Sequence, residues 1–253
     1  WGADANNSSA APFKMKRSLT TVSSRGCPYA CTFCYRGGQG ERRYGVRCEK
    51  NLAKEVKWLI DTYNIDFVGF PDDNFAVDRK RTAKLPEAFK DINIKWGTHT
   101  RLDEADDRLE PMAESGCVYI GFGAESASPD VLNYMKKGGF ILKKGLVDIN
   151  GYTFPKSMVD GIRNTLSYGI HSNCTWIMGF PGEKLIDLKT SVAFIQWQKE
   201  LVTKGLLPGT TEYKVASESI NENMFVATAY PGTEMFKHPK VQSMLNTNFK
   251  INF

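Results

Sequence analysis

The sequence predicts an α/β fold, an open, partial (βα)6 barrel of parallel strands, and three observations lead to it. Short apolar, β-branched runs alternate along the chain with amphipathic helical stretches. Six such units are present, too many for a small ferredoxin-like fold and two short of a closed eight-stranded barrel. Each run is followed, at the same end, by a polar or Gly/Pro-rich segment, where parallel architectures collect their functional residues.

Residues 19–23 form the first predicted strand. A helix over 49–63 carries Leu52, Val56, Leu59 and Ile60 on one face, and a strand over 66–70 follows. The next pairs are a helix over 79–89 with a strand over 94–98, then a helix over 105–115, ended by Gly116, with a strand over 118–122. Pro129 opens a short helix through Leu132 and Met135. Residues 136–155 hold Gly138, Gly139, Gly145 and Gly151 and read as a loop or insertion. A helix over 156–168 aligns Met158, Ile162, Thr165 and Leu166. A strand over 173–178, a long helix over 185–204 and a strand over 224–229 complete the series, with 205–223 unassigned. The domain reading is an extension or linker over 1–18, a core barrel over 19–236 and a tail over 237–253, with no internal repeat.

With 253 residues, 42% of them hydrophobic, disordered and fibrous classes are excluded. No run of about 18 apolar residues offers a membrane span, and the start lacks the basic-then-apolar pattern of a signal peptide. A cytoplasmic location and no membrane partner are therefore expected. The chain lacks an initiator Met, which leaves room for an upstream domain. The net charge of +5 is mostly local, with a net +4 over residues 36–57. That stretch reads as a solvated helix face with its approach loop. Without interleaved stacking aromatics, nucleic acid is not an expected partner; an anionic substrate or cofactor is a third reading.

The six cysteines do not form a disulfide framework. Cys117 and Cys174 lie in strand-like runs, where free Cys behaves as a small buried hydrophobe, and Cys48 opens a helix, poorly placed as a ligand. Cys27, Cys31 and Cys34 are different, forming a C-x3-C-x2-C triplet that leaves the end of the first strand and runs into glycines. A structural zinc site needs four ligands, and no second pair or partner His follows. A redox dithiol normally opens a helix in a much smaller fold. An iron–sulfur cube held by three thiolates, with one iron open to another ligand, fits best. Tyr29 and Phe33 would shield it, and Gly37, Gly38 and Gly40 would let the loop wrap it.

The other strand ends carry Asp72, Asp73 and Asn74; His99, Thr100, Arg101 and Asp103; Glu125 and Ser126; Gly179 to Glu183; and Tyr230 to Thr233. Singly, each has a plain structural explanation as a cap, a turn or a surface pair. Their convergence on one barrel mouth raises them together.

Over about 19–236 these residues resemble the radical SAM superfamily, whose C-x3-C-x-aromatic-C signature is matched by Cys27, Cys31, Phe33 and Cys34. The resemblance implies a TIM-like partial barrel of the radical SAM type. It also implies a [4Fe-4S] cluster on the three cysteines, with S-adenosylmethionine chelating the unique iron and Phe33 near the adenine. Asp72, Asp73 and Asn74 take the place of the motif that contacts the methionine amino group, and Glu125 with Ser126 that of the motif near the ribose and carboxylate. Ile177, Met178 and Gly179 would pass the adenine, and Tyr230 with Pro231 would close the mouth.

Phe70-Pro-Asp-Asp-Asn-Phe75, Gly121-Phe-Gly-Ala-Glu-Ser126, Met135-Lys-Lys-Gly138 and Met178-Gly-Phe-Pro-Gly-Glu183 look most like the subgroup often fused to a cobalamin-binding domain. Two departures stand out: Asp-Asp-Asn replaces the common Gly-Gly-Glu, and residues 139–155 form a longer connection, expected to face substrate. The implied activity is reductive cleavage of S-adenosylmethionine to a 5'-deoxyadenosyl radical for hydrogen abstraction, methyl transfer among its outcomes. The chemistry is oxygen-sensitive, the donor a flavodoxin or ferredoxin and the substrate a small molecule or peptide. Cobalamin would sit on a domain outside this chain. His99 and Arg101 are candidates for binding substrate or the cofactor carboxylate, with Tyr119 or Tyr152 nearby. The rival readings are a non-catalytic iron–sulfur or zinc protein and an inactive fragment of a larger cobalamin-dependent enzyme.

Overall fold

A computed structural model of the protein describes residues 15–35 and 43–248. Six parallel strands form one sheet in chain order: β1 (Ser18–Thr20), β2 (Phe67–Phe70), β3 (Lys95–Arg101), β4 (Cys117–Glu125), β5 (His171–Met178) and β6 (Met224–Val226). The sheet curls into a half-barrel, as predicted. Helices cover its convex face, among them α1 (Glu49–Tyr63), α2 (Lys156–Ser167) and α3 (Leu185–Thr203).

Period-two alternation decides which side chains go where. Val68, Phe70, Trp96, Phe122, Cys174 and Trp176 face the helices and are buried. Their rings interlock with those of the helical layer. Phe70, Phe75 and Trp96 lie 5.1–5.6 Å apart, and Phe194 meets Phe154 and Trp197 at 5.1 Å and Trp176 at 5.8 Å. The concave face alternates with it. There Gly69, Gly97, Tyr119 and His171 lie in one hydrogen-bonded row, and His99, Gly121 and Asn173 in the next.

Several predicted boundaries move. β1 ends at Thr20, not 23, because the chain leaves the sheet and Ser24–Arg25 pairs antiparallel with Gly45–Val46. β3 and β4 run on to Arg101 and Glu125: the polar residues there alternate with buried Thr98, Thr100, Phe122 and Ala124, so they face the groove within the strand instead of ending it. The helix predicted over 79–89 is broken into Arg79–Thr82 and Leu85–Phe89, with Pro86 in the first turn of the second piece. β6 is only three residues long. Residues 205–223 contain a helix, Thr211–Glu218, capped by the Thr210 hydroxyl, and the expected tail holds another, Pro239–Asn248.

The largest correction concerns residues 136–155. Beyond a short helix, Gly138–Ile141, the strands Leu146–Ile149 and Tyr152–Pro155 form a β-hairpin about Asn150-Gly151, whose φ values of 53° and 79° suit a tight two-residue turn. The hairpin packs on the helical layer through Phe154 against Phe194 of α3, and Asn150 Nδ2 donates to Glu200 Oε2 at 3.0 Å. It therefore covers the outside of the barrel instead of facing substrate. Tyr152 goes with it, its ring parallel to that of Phe154.

Among the described residues no helix is long and apolar enough to cross a membrane. Lys57 pairs with Asp61 and Arg47 with Glu55, as a solvated helix face would; Arg36, Glu41 and Arg42 of the basic stretch lie outside the described residues. Phe154 is 1% exposed. Phe154→Ala is expected to lower the unfolding free energy by about 3–5 kcal/mol in urea denaturation, and a loss below about 1 kcal/mol would contradict the hairpin packing.

Candidate active site

The cysteine loop is anchored at its base before any cysteine is reached. Ser23 and Ser24, both buried, deliver two hydroxyls and a backbone N–H to the carboxylate of Asp72, which leaves β2. Ser23 N donates to Oδ1 at 2.8 Å, Ser24 Oγ to Oδ2 at 2.6 Å, and Ser23 Oγ to Oδ2 as well. Arg81 closes the same knot, donating to Ser23 O at 3.0 Å and Ser23 Oγ at 3.1 Å with its guanidinium over the Phe75 ring. Asp73 accepts from Gly26 N at 3.1 Å. Gly26 has φ +81°, and a Cβ there would stand 2.1 Å from Arg43 O, so only glycine lets the outgoing and returning chains pass.

Within the loop, Cys31 is buried, Cys34 N donates to its carbonyl at 3.3 Å, and the Cys34 thiol is oriented to donate to its sulfur. That thiol donor, with Lys137 and Arg101 adding to it, lowers the Cys31 thiol below its usual range against the effect of burial. Cys27 is shifted up, chiefly by burial, with the nearby Cys31 adding to the rise. Among the described residues, no three His, Cys, Asp or Glu side chains gather around one point at metal-holding distances. Three thiols on one short loop, with Cys34 N bonded to Cys31 O at 3.3 Å and Arg101 and Lys137 nearby, nevertheless form a donor set suited to thiolate ligands of an iron–sulfur cluster. The loop backbone is held from both sides: Thr32 N donates to Met135 O at 3.0 Å, and Thr32 O accepts from Met235 N at 2.8 Å. Gly37, Gly38 and Gly40 lie outside the described residues.

Arg101, at the end of β3, is buried beside Cys31. Its Nε and Nη2 grip Asp103 at 2.9 and 3.1 Å, and its Cζ lies 4.1 Å from the centre of the Tyr29 ring. The Tyr29 hydroxyl donates to Glu104 Oε1 at 2.6 Å, and Thr100 Oγ1 bridges Glu104 Oε2 at 2.7 Å and Asn74 Oδ1 at 2.6 Å. Asn74 is 1% exposed. The expected strand-end residues Asn74, Thr100 and Arg101 are thus joined to the cysteine loop in one buried polar network.

Glu125 adopts φ +64° at the end of β4 and pairs with Lys137 at 3.0 Å, whose ammonium also donates to Gly123 O at 2.7 Å. Phe33 packs with Ile177 against Val131, Met135, Phe180 and Met235, so the aromatic of the cysteine motif and the end of β5 meet in one apolar cluster. Met178 closes β5, its carbonyl accepting from Ala227 N at 2.8 Å, and Gly179 N donates to Glu183. Ser126 is placed otherwise than its motif implies: it is fully buried and its hydroxyl meets Ser191 of α3 at 3.1 Å, on the helical side. Tyr230 is exposed, its carbonyl accepting from Thr233.

His99 stands on the concave face with its ring over Gly121, where a methyl would come within 2.5 Å of the imidazole. The walls of the groove desolvate the ring and lower its pKa below 6.5, while Asp72 opposes the shift. Cys117 and Cys174 are core residues, the latter pushed up to about 12 by burial. Arg81 and Glu104 were missed by the sequence reading, and Lys137 entered it only as part of the Met135-Lys-Lys-Gly138 motif, without a role. Each is a charge nine-tenths or more buried, a property that no local pattern announces.

Two expectations follow. Asp72→Ala leaves three donors at Ser23 and Ser24 without their acceptor, and should destabilise the protein by about 3 kcal/mol in denaturant titration, with Asp72→Asn intermediate; an unchanged midpoint would remove the anchoring role. His99 should titrate below 6.5 by NMR, assigned with His99→Gln. Between that lower midpoint and 6.5 the unfolded chain binds more protons, so stability should fall on acidification through this window in the native protein, and less in the variant. A midpoint at or above 6.5 would contradict the desolvated setting.

Residues 21–195 match the radical SAM superfamily. An uncharacterized methyltransferase of Pyrococcus horikoshii is 26% identical over 230 residues, 89% of this chain and 43% of its own length. The cytidylyl-2-hydroxyethylphosphonate methyltransferase of Streptomyces wedmorensis is 30% identical over 187 residues, 68% of this chain and 32% of its own. In fold, the chain is similar to the cobalamin-dependent S-adenosylmethionine radical enzyme OxsB, with a TM-score of 0.68 at 18% identity over 91% of this chain and 36% of that one. It therefore spans less than half the length of each of these relatives. With three cysteines of the expected spacing at the mouth of a parallel half-barrel, the chain belongs to the radical SAM superfamily and is an enzyme of that type.

Proposed function

We propose that the protein reductively cleaves S-adenosylmethionine at a [4Fe-4S] cluster held by Cys27, Cys31 and Cys34, and directs the resulting radical chemistry to methyl transfer onto a small molecule. The observation that carries the reading is the cysteine loop itself, which holds Cys27, Cys31 and Cys34 on one short turn, with Cys34 N bonded to Cys31 O at 3.3 Å and the loop pinned to the barrel through Asp72 and Thr32. When bound, the cluster and S-adenosylmethionine supply the electron transfer and the 5'-deoxyadenosyl radical.

The chain's own residues bind, orient and exclude water. Phe33, with Ile177 and Phe180, offers an apolar wall for the adenine at the end of β5. The Glu125 carboxylate, turned by its positive φ and paired with Lys137, would bind the ribose and amino-acid part. His99, exposed on the concave face, would meet substrate, and desolvation of its ring by the groove walls favours the neutral imidazole. Asp72 acts through Ser23 and Ser24 to fix the exit of β1, and Asp73 does the same through Gly26.

The methyltransferase reading is supported by the names of the Pyrococcus and Streptomyces relatives. Cobalamin on a part of the protein outside these 253 residues is supported by the cobalamin-dependent OxsB, of which this chain matches 36%, and by the radical S-adenosylmethionine methyltransferase TsrM of Kitasatospora setae, solved with cobalamin bound, of which it matches 34%. The electron donor would be a flavodoxin or ferredoxin. Six free cysteines suit a reducing, cytoplasmic setting.

Anaerobic reconstitution tests the reading. The native protein should take up iron and sulfide and, with a one-electron reductant and S-adenosylmethionine, release 5'-deoxyadenosine. Cys27→Ala, Cys31→Ala and Cys34→Ala should each lose the cluster, and full iron and sulfide in these variants would refute the ligand assignment. A loaded native cluster that releases no 5'-deoxyadenosine would refute the cleavage.

A further inference from the structure

We infer that Arg101 is a positioning residue that donates a hydrogen bond to the Cys31 sulfur and thereby raises the reduction potential of the cluster; this rests on the reading of Cys27, Cys31 and Cys34 as its ligands. Arg101 Nη1 stands 3.7 Å from Cys31 Sγ. Nε and both hydrogens of Nη2 are occupied in holding it there. Nε and Nη2 fork onto Asp103 at 2.9 and 3.1 Å, and the second Nη2 hydrogen reaches Lys137 O at 3.3 Å.

Four of the five guanidinium N–H groups are accounted for in this way. One face is covered by the Tyr29 ring at 4.1 Å, and that ring is in turn fixed by the hydroxyl bond to Glu104. A forked grip on a substrate or cofactor carboxylate needs two parallel N–H groups on one edge, and the forked edge is already on Asp103. The geometry therefore separates Arg101 from His99: one is committed to the cysteine loop, the other is open to the groove.

Asp103 is buried with Arg101, their side chains 6% and 7% exposed, so the pair adds no net charge beside the sulfur. What it adds is a directed N–H dipole. Reduction places one more negative charge on the cluster and its sulfurs, and hydrogen bonds to sulfur favour that state. The electron comes from a low-potential one-electron donor; Arg101 gives up no proton, and no bond to it forms or breaks. Removing the guanidinium takes away the donor and leaves the Asp103 carboxylate uncompensated, and both changes disfavour reduction.

The test is an EPR-monitored redox titration of the anaerobically reconstituted protein, with iron and sulfide assayed in parallel, for the native chain, Arg101→Gln and Arg101→Lys. Both variants should load iron and be harder to reduce. Arg101→Gln should shift the reduction equilibrium by about tenfold or more, which is about 59 mV for one electron. Arg101→Lys, which keeps a charge but loses the planar fork, should shift less. Equal midpoints in all three proteins would overturn the inference while leaving the cysteine assignment intact. Native protein that binds no iron would overturn the assignment and the inference together. If Arg101→Gln does not fold, Arg101→Lys decides by the same criterion, because a purely structural role would leave its midpoint unchanged.

Discussion

The site hangs on a single buried carboxylate. Asp72 leaves β2, and Ser23 and Ser24 leave β1, so its bonds to them join two neighbouring strand ends at the level where the sheet stops. A carboxylate away from water is tolerated only when its oxygens are occupied, and here two hydroxyls and a backbone N–H occupy them. In return, the direction in which the chain departs toward Cys27 is set by the barrel and not by the loop. Arg81 stands over the same serine, 4% exposed, and this burial lowers its pKa.

From that anchor the site is assembled in two halves. On the β2–β3 side, Asn74, Thr100, Glu104 and Tyr29 form a polar chain that ends against Arg101 and Cys31. On the β4–β5 side, Phe33 meets Ile177 and Phe180 in an apolar wall, with the Lys137–Glu125 pair at its border. The cysteine loop touches both, and the bond from Arg101 to Lys137 O at 3.3 Å joins them a second time. An ionic half and an apolar half facing each other across a groove suit a ligand that is itself charged at one end and aromatic at the other.

Much of this was legible in the sequence, and the reasons differ by element. The helix over 49–63 was read to the residue because Leu52, Val56 and Leu59 repeat cleanly and Asn64 accepts the left-handed conformation that ends it. Strand order followed from βα alternation, since each unit packs beside its predecessor. Strand ends were misplaced wherever the concave face is polar: Arg101 and Glu125 look like loop residues until the alternation with Thr100 and Ala124 is followed through. The hairpin at Asn150-Gly151 was hidden by glycines that suggested irregularity, although that dipeptide is itself a turn signal. The cysteine triplet was evident from spacing alone. The partners that orient it were not, because burial of Arg81, Glu104 and Lys137 arises from tertiary packing.

A half-barrel differs from a closed one in having two edges, and here both are short. β1 and β6 contribute three residues each, whereas β3, β4 and β5 contribute seven, nine and eight. Few unpaired backbone groups are therefore presented to another sheet, which limits edge-to-edge association in a fold that has given up closure. The long central strands carry the site, and the spacing of the groove walls is set by side-chain packing on the convex face instead of a continuous ring of hydrogen bonds. Substitutions among Phe122, Trp176 and Phe194, none of which touches the groove, thus become a means of changing its width.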